Sequence, residues 1–293
     1  MRVSKLYENG ENPVVSFEFF PPRDEEAEDE FEKVVDDLAT LKPDYMSVTF
    51  GAGGSTRDGS FQTVKKSIEE KNQPTVAYIA GYGLGPDEMT TVLDRYQELG
   101  VETIFVIRGD EPRNNGQFVS HPDCMHYASD MISFINKNYD FDLGCAGYPE
   151  GHVQAESFEK DIEYLKTKVD NGAKYVVAQY FYDNNLFYEY VDKCRKAGIS
   201  VPIIPGIMPI YGVKMTENLA TLCGATISDE LRKGLKEASE GGKDAVMQFG
   251  IDFAVEQCRE LLEKGVPGLH FYTMDRSQSV VGIVNCLKQE NLL

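Results

Sequence analysis

Positive charge is scarce in this sequence: 29 lysines and arginines stand against 48 aspartates and glutamates, a formal net charge of −19 over 293 residues. A surface of that sign repels phosphate backbones and anionic lipid, so neither nucleic acid nor a membrane surface is an expected partner. No apolar run approaches the ~18 residues of a membrane span, and the opening MRVSKLYENGENP is too polar and breaker-rich for a signal peptide. The six cysteines (Cys124, Cys145, Cys194, Cys223, Cys258 and Cys286) form no C-x-x-C pair, which points to reduced thiols in a cytoplasm and offers no cluster-ligand spacing. Histidine is rare as well, and His121-x-x-Cys124-x-His126 lacks the paired spacing of a zinc site, so no metal is expected. Also missing are a Walker-type G-x-x-x-x-G-K-[ST], a complete G-x-G-x-x-G, and any Pro/Ser linker or composition shift that would mark a domain boundary.

What is present is the makeup of a folded globular chain, 42% hydrophobic and 26% charged. Short β-rich apolar runs recur at residues 14–19, 45–50, 75–80, 103–107, 143–148, 175–180, 202–207 and 268–272, about the eight that a closed α/β barrel requires. Helical periodicity fills the spaces between them, at 26–41, 59–71, 86–99, 124–138, 157–171, 184–197, 243–264 and near 276–287. Several of these stretches stop at a glycine just before the next strand (Gly100, Gly172, Gly198, Gly265), the signature of a left-handed C′ residue. Strand-then-helix alternation predicts an α/β fold, a (β/α)8 TIM barrel forming one domain over residues 1–293. An open doubly wound sheet would place a phosphate-binding glycine motif after its first strand, which here runs into Phe20-Pro21-Pro22. The glycine-rich pieces at 51–54 and 81–85 are read as flexible βα loops.

In a barrel the βα loops open on one face, so polar residues at strand C-termini converge there. That filter collects Glu18, Thr49, Arg108 with Asp110, Tyr148 with Glu150 and His152, Gln179, and residues 270–276. Glu18 sits among aromatic and β-branched residues in VVSFEFFPP, where desolvation should raise its pKa and suit it to general-acid work; a buried Glu paired with a base is the competing account. Arg108-Gly109-Asp110 ends the fourth strand, where the glycine lets backbone approach a ligand and the carboxylate could tune a cofactor ring or steady a cation; a surface turn is the plainer alternative. Tyr148-Pro149-Glu150-Gly151-His152 offers an aromatic face, a carboxylate and an imidazole in one loop, although a lone histidine is more often structural. Gln179 could serve a pterin or nicotinamide edge, or be a satisfied core amide.

Taken together, VSFEFFPPR (15–23), SVTFGAGG (47–54), RGD (108–110), YPEGH (148–152), AQYFYD (178–183), PGIMPI (205–210) and HFYTMDR (270–276) resemble the methylenetetrahydrofolate reductase family, with motifs in family order over nearly the whole chain. The resemblance implies a non-covalent FAD in the barrel mouth, reduced by NADH or NADPH and reoxidised by the folate in a ping-pong cycle on one face. By similarity Glu18 is the proton donor that helps open the five-membered ring of 5,10-methylenetetrahydrofolate, exposing an iminium carbon to the hydride from flavin N5 on the way to 5-methyltetrahydrofolate. Asp110 matches a carboxylate beside the flavin, Gln179 a folate contact and Arg276 a substrate-side arginine. Family flavin contacts fall on Thr49, Arg108, Gly109, Tyr127, Ala128, Ala146, Tyr148, His152, Asp161 and Lys168.

Three positions depart from the family pattern. Tyr78 stands about where many relatives carry a flavin-contacting histidine, and Met215 and Leu219 occupy sites that are often polar or aromatic. The sequence stops at Leu293, which leaves no room for the regulatory module that binds S-adenosylmethionine in eukaryotic relatives, so control by that ligand is not expected. Homo-oligomerisation and an electron-transfer partner protein are left open. Two rival readings remain beside the reductase: a pterin-binding barrel without flavin, such as a folate-dependent methyltransferase, and a partner-dependent subunit of an electron-transfer complex.

Overall fold

The computed structural model describes residues 1–8, 10, 12–22, 24–50, 54–111 and 119–293. Arg23 and most of the 51–54 glycine piece, both quoted above, lie outside them.

Nine parallel segments form the sheet: β1 (Val14–Phe19), β2 (Tyr45–Val48), β3 (Thr75–Ala80), β4 (Thr103–Ile107), β5 (Asp142–Gly147), β6 (Tyr175–Ala178), β7 (Ile203–Ile204), β8 (Gly206–Ile207) and β9 (Gly268–Tyr272). Their spatial order is β7-β6-β5-β4-β3-β2-β1-β9-β8. The two ends of that order are one stretch of chain, because the expected seventh strand at 202–207 is divided by Pro205. Proline has no N–H for the ladder, so Ile203 and Ile204 pair only with β6, while Gly206 and Ile207 pair only with β9. The Pro205 carbonyl still accepts from the His270 N–H at 3.1 Å, and the ring closes through this short break as the (β/α)8 barrel expected from the alternation.

The strands are largely buried on both faces, as parallel strands covered on both sides must be. On β1, Val15, Phe17 and Phe19 turn outward into the core beneath the helices. Val14 turns inward to join Tyr45, Val76, Tyr78, Phe105, Tyr175, Val177 and Ile204 in the barrel interior. That interior admits large rings only because small residues face them: a Cβ on Gly144 would lie 2.3 Å from the Tyr175 ring and 2.7 Å from that of Phe105.

The covering helices among the described residues are α2 (Glu25–Ala39), α3 (Gly54–Glu69), α4 (Pro86–Glu98), α5 (Ala128–Asn138), α6 (Phe158–Asp170), α7 (Asn184–Lys196), α8 (Val213–Cys223), α9 (Asp229–Glu240), α10 (Lys243–Glu263) and α11 (Gln278–Gln289). Several begin at a side-chain cap: Asp24 accepts from the Ala27 N–H at 3.0 Å, Ser157 from Lys160 at 3.2 Å and Ser228 from Leu231 at 3.1 Å. Gly100, Gly172, Gly198 and Gly265 all have positive φ, as the helix ends predicted. α5 starts at Ala128, four residues later than its periodicity suggested, and α8 and α9 were not anticipated.

The opening segment was read only as polar. It forms a short α1 (Ser4–Glu8) that closes the N-terminal end of the barrel. Val3 is fully buried, the Ser4 N–H and hydroxyl donate to the buried Asp142 carboxylate at 2.7 and 2.9 Å, and the Tyr7 hydroxyl meets that of Tyr45 at 3.2 Å. Lys174, 3.3 Å away, balances the Asp142 charge. Among the described residues, the cleft lies at the C-terminal end of the barrel.

Candidate active site

The open end holds a cleft of about 1340 Å³. Its floor is made by inward-facing residues at the strand ends, Glu18, Thr49, Tyr78, Phe105, Ala146 and Tyr272, and its walls by the loops beyond them. Strand alternation places Glu18 inward: two residues on from Ser16 and four from Val14, it faces the lumen while Phe17 and Phe19 face the helices.

Glu18 is 5% exposed. Its Oε2 accepts from the Tyr78 hydroxyl at 2.6 Å and lies 3.5 Å from His270 Nε2. His270 is itself buried, with Nδ1 2.8 Å from the Ser16 hydroxyl. Its Nε2 makes no hydrogen bond to a described residue. Burial beside Glu18 drives the Tyr78 phenol well above its ordinary value, so it stays a donor.

The turn after β4 supplies the opposite wall. Gly109 has φ +78°, and a Cβ there would sit 2.9 Å from Ala80 Cβ, so this close approach of backbone to the β3 end requires glycine. Arg108 turns its guanidinium toward Asp110, 3.7 Å away, and the Asp110 side chain is almost fully exposed in the cleft. The β5 loop adds Tyr148 and His152, whose rings meet edge to face at 4.6 Å. Burial, then the charges of Arg108 and Lys168, hold His152 below its ordinary pKa, so it is neutral near pH 7. Its Nδ1 accepts from the Gln154 N–H at 3.1 Å, which leaves Nε2 as an N–H donor. Gln179 is oriented similarly. Its Oε1 accepts from the Tyr180 N–H at 3.1 Å, leaving its NH2 as the available group.

Of the residues singled out from the sequence, Glu18, Thr49, Arg108, Gly109, Asp110, Ala146, Tyr148, His152, Gln179 and Arg276 line this one cleft. Four do not. Asp161 and Lys168, on α6, stand behind the lining: Lys168 Nζ donates to the Ala146 carbonyl at 2.5 Å and lies 5.9 Å from the Tyr148 ring centroid. Burial pushes the Asp161 carboxyl up, while Lys168 and the His152 backbone pull it back. Tyr127 is the N-cap of α5 and Ala128 its first residue; both lie outside the cleft lining, and Tyr127 is 65% exposed.

Two features escaped sequence reasoning. One is the backbone geometry of the loop beyond β9, within the collected segment 270–276. There Met274 and Asp275 both adopt φ above +50°, unusual for non-glycine residues. The loop is stitched to β1 by the Thr273 hydroxyl donating to the Glu18 carbonyl at 2.6 Å and by the Phe20 N–H donating to Asp275 Oδ1 at 3.0 Å. Burial, then the nearby Glu18 charge, raises the Asp275 carboxyl to about 6 against the pull of the Phe20 N–H. A carboxylate two residues beyond Thr273, just past a strand end, was the available signal. The other feature is an apolar rim of Phe20, Val153 and Leu222, all exposed, with Met215 and Cys223 beside it on α8. Exposed apolar groups around a cleft favour a flat ligand that covers them.

Among the described residues no cluster of three His, Cys, Asp or Glu could hold a metal ion, and no helix is long and apolar enough to cross a membrane.

Comparison with known proteins bears on the same region. A family model described as methylenetetrahydrofolate reductase matches residues 2–288. Methylenetetrahydrofolate reductase (NADH) 1 of Arabidopsis thaliana is 33% identical over 294 residues, covering 97% of this chain and 49% of its own. The 5,10-methylenetetrahydrofolate reductase of Escherichia coli (strain K12) is 34% identical over 276 residues, covering 93% of this chain and 90% of its own. The chain thus spans about half the length of the plant relatives it matches. Among solved structures, an uncharacterised Clostridium thermocellum protein that binds two copies of 5-methyl-5,6,7,8-tetrahydrofolic acid superposes with a TM-score of 0.66 at 17% identity over 98% of each chain. Dihydropteroate synthase from Xanthomonas albilineans gives 0.52 at 10% identity, covering 97% of this chain and 95% of its own. At those identities the two structures share the fold.

Proposed function

The chain belongs to the methylenetetrahydrofolate reductase family, and from that premise we propose that it reduces 5,10-methylenetetrahydrofolate to 5-methyltetrahydrofolate, with FAD as cofactor and NADH or NADPH as electron donor. The observation that carries the reading is Glu18: an almost fully buried carboxyl, fixed by the Tyr78 hydroxyl, opening on the cleft that Arg108 and Asp110 share.

The residues present fit FAD. At about 1340 Å³ the cleft exceeds the roughly 300–1,000 Å³ that accommodates one drug-sized ligand, which suits a dinucleotide with a second ring system on top. Arg108 offers a cation to a pyrophosphate, the Gly109 turn a backbone without side-chain bulk, and Tyr148 a flat face. Thr49 and the His152 N–H would hold polar edges, Lys168 and Asp161 would brace that wall from behind, and Tyr127 and Ala128 would meet the cofactor's far end. FAD supplies a hydride carrier that takes two electrons from the nicotinamide and later gives them to the folate.

The chain's own groups do the rest. Glu18 delivers a proton to the folate nitrogen whose release opens the five-membered ring, and the carbon left behind becomes cationic. Asp110 sets a negative charge at the same cleft, where it favours that cation. The Gln179 NH2 and the Arg276 guanidinium orient the folate. His270 and Ser16 stand behind Glu18 in the buried interior, with His270 Nε2 3.5 Å from its Oε2. Both substrates would meet one face in turn. The protein would act in a cytoplasm, as a single domain, on small molecules.

The test is an anaerobic titration. Purified protein should be yellow, bleach with NADH and regain colour with 5,10-methylenetetrahydrofolate. A colourless polypeptide that takes up no FAD, or reduced flavin that the folate leaves unoxidised, overturns the reading.

A further inference from the structure

We propose that Tyr78 is a positioning residue that determines which oxygen of Glu18 carries the transferable proton, a role that rests on the reduction proposed above. The Tyr78 hydroxyl donates to Oε2 at 2.6 Å, and His270 Nε2 approaches that same oxygen at 3.5 Å. Oε1 takes no hydrogen bond from another described residue, and Glu18 opens on the cleft. With Oε2 already accepting, the proton of the neutral acid resides on Oε1, the oxygen left for a substrate nitrogen.

The aim of Tyr78 does not depend on its hydroxyl. Its ring stacks on Phe105 with centroids 4.5 Å apart and planes 21° from parallel. The bond also crosses a strand. Glu18 on β1 and Tyr78 on β3 flank β2, where the residue in register with Glu18 is the small Ser47. Tyr78 therefore reaches Glu18 through the lumen from a position that packing holds fixed. A phenol is a far weaker acid than a carboxyl, and burial here weakens it further, so Tyr78 directs the proton without releasing its own.

The experiment uses the full chain loaded with FAD, with Tyr78→Phe, which keeps the ring stack, and with 3-fluorotyrosine at position 78, which restores the hydroxyl. Each half-reaction is followed by stopped flow. Glu18 is faced by Tyr78 from β3, Tyr45 from β2, His270 and Tyr272 from β9, and Asp275 from the loop beyond; only the first is altered. Reoxidation by methylenetetrahydrofolate should fall roughly tenfold more than flavin reduction by NADH does, the worth of one hydrogen bond to a charged group. Fluorotyrosine should recover most of the rate.

Equal slowing of both halves, or a reoxidation rate like the unaltered protein's, overturns the proposal. Isotope-edited infrared spectra of the flavin-free protein give a readout independent of activity. The Glu18 acid carbonyl band should move to higher frequency in Tyr78→Phe, where its hydrogen bond from the phenol is lost, and coincident bands would count against the role. If the unaltered protein's reduced flavin is not reoxidised by the folate, it is the functional reading that fails, and the infrared comparison still decides the placement of the proton.

Discussion

Asp275→Asn tests the loop beyond β9 without reference to any ligand. The carboxyl stands at about 6 instead of its ordinary 3.8, chiefly because it is buried at the cleft edge. At about 1.4 kcal/mol per pH unit, that displacement corresponds to roughly 3 kcal/mol of preference for the neutral acid. The group borders a wide solvent-filled cleft, so screening reduces the working figure to about 1 kcal/mol. The sign follows from proton counting. Between pH 4 and pH 6 the folded protein holds a proton that the unfolded chain has released, so stability falls as pH rises through that window, and the full penalty is present above it. Asparagine keeps an acceptor for the Phe20 N–H and tolerates the left-handed backbone, but carries no charge to desolvate. The variant should match the unaltered protein below about pH 4 and exceed it by about 1 kcal/mol at pH 7. With unfolding entropy of ~2 cal/mol/K per residue, that is a rise of about 1.5 °C in Tm. Calorimetric melts of both proteins from pH 4 to pH 7.5 give the difference curve. A gap independent of pH, or a less stable variant at pH 7, would refute the reasoning.

Glu18→Gln should retain FAD and its bleaching by NADH within about twofold, while reoxidation by methylenetetrahydrofolate falls 10²–10⁴-fold, the usual worth of a general acid, as single-turnover traces would reveal. Asp110→Asn removes a negative charge from the cleft and should raise the flavin midpoint potential. Because that side chain is almost fully exposed, the change should be about 20 mV, equivalent to roughly 1 kcal/mol for two electrons, with the folate half-reaction slowed more than the NADH half. A potential unchanged in spectroelectrochemical titration removes Asp110 from the flavin's surroundings.

The barrel was legible because a parallel strand covered on both faces must be a continuous apolar run, and eight such runs separated by helical periods admit few other closures. What was missed lay where composition and structure diverge. α9 is DELRKGLKEASE, with Leu231 and Leu235 its two buried residues, so its apolar stripe is too thin to register. α1 owes its order to the barrel end it covers, not to its own propensity, since five residues cannot sustain a helix alone. Pro205 was visible as a letter, but that it breaks one strand into two pairings depends on which neighbours flank it.

The site divides the same way. Topology alone sends strand C-termini to one face, so Glu18, Thr49, Arg108, Tyr148 and Gln179 were collected correctly onto one cleft. Hydrogen-bond partners are another matter. That Tyr78 meets Glu18, and that Asp275 holds the Phe20 N–H, follow from lumen geometry and from a left-handed loop, neither of which leaves a periodic trace.

A vessel stoppered at one end has a single door. The rings of the lumen, with Val3 and Tyr7 packed beneath them, fill the far side, so among the described residues the cleft at the strand ends is the approach. If both reactants use that cleft, as proposed above, the packed interior leaves them one approach to Glu18.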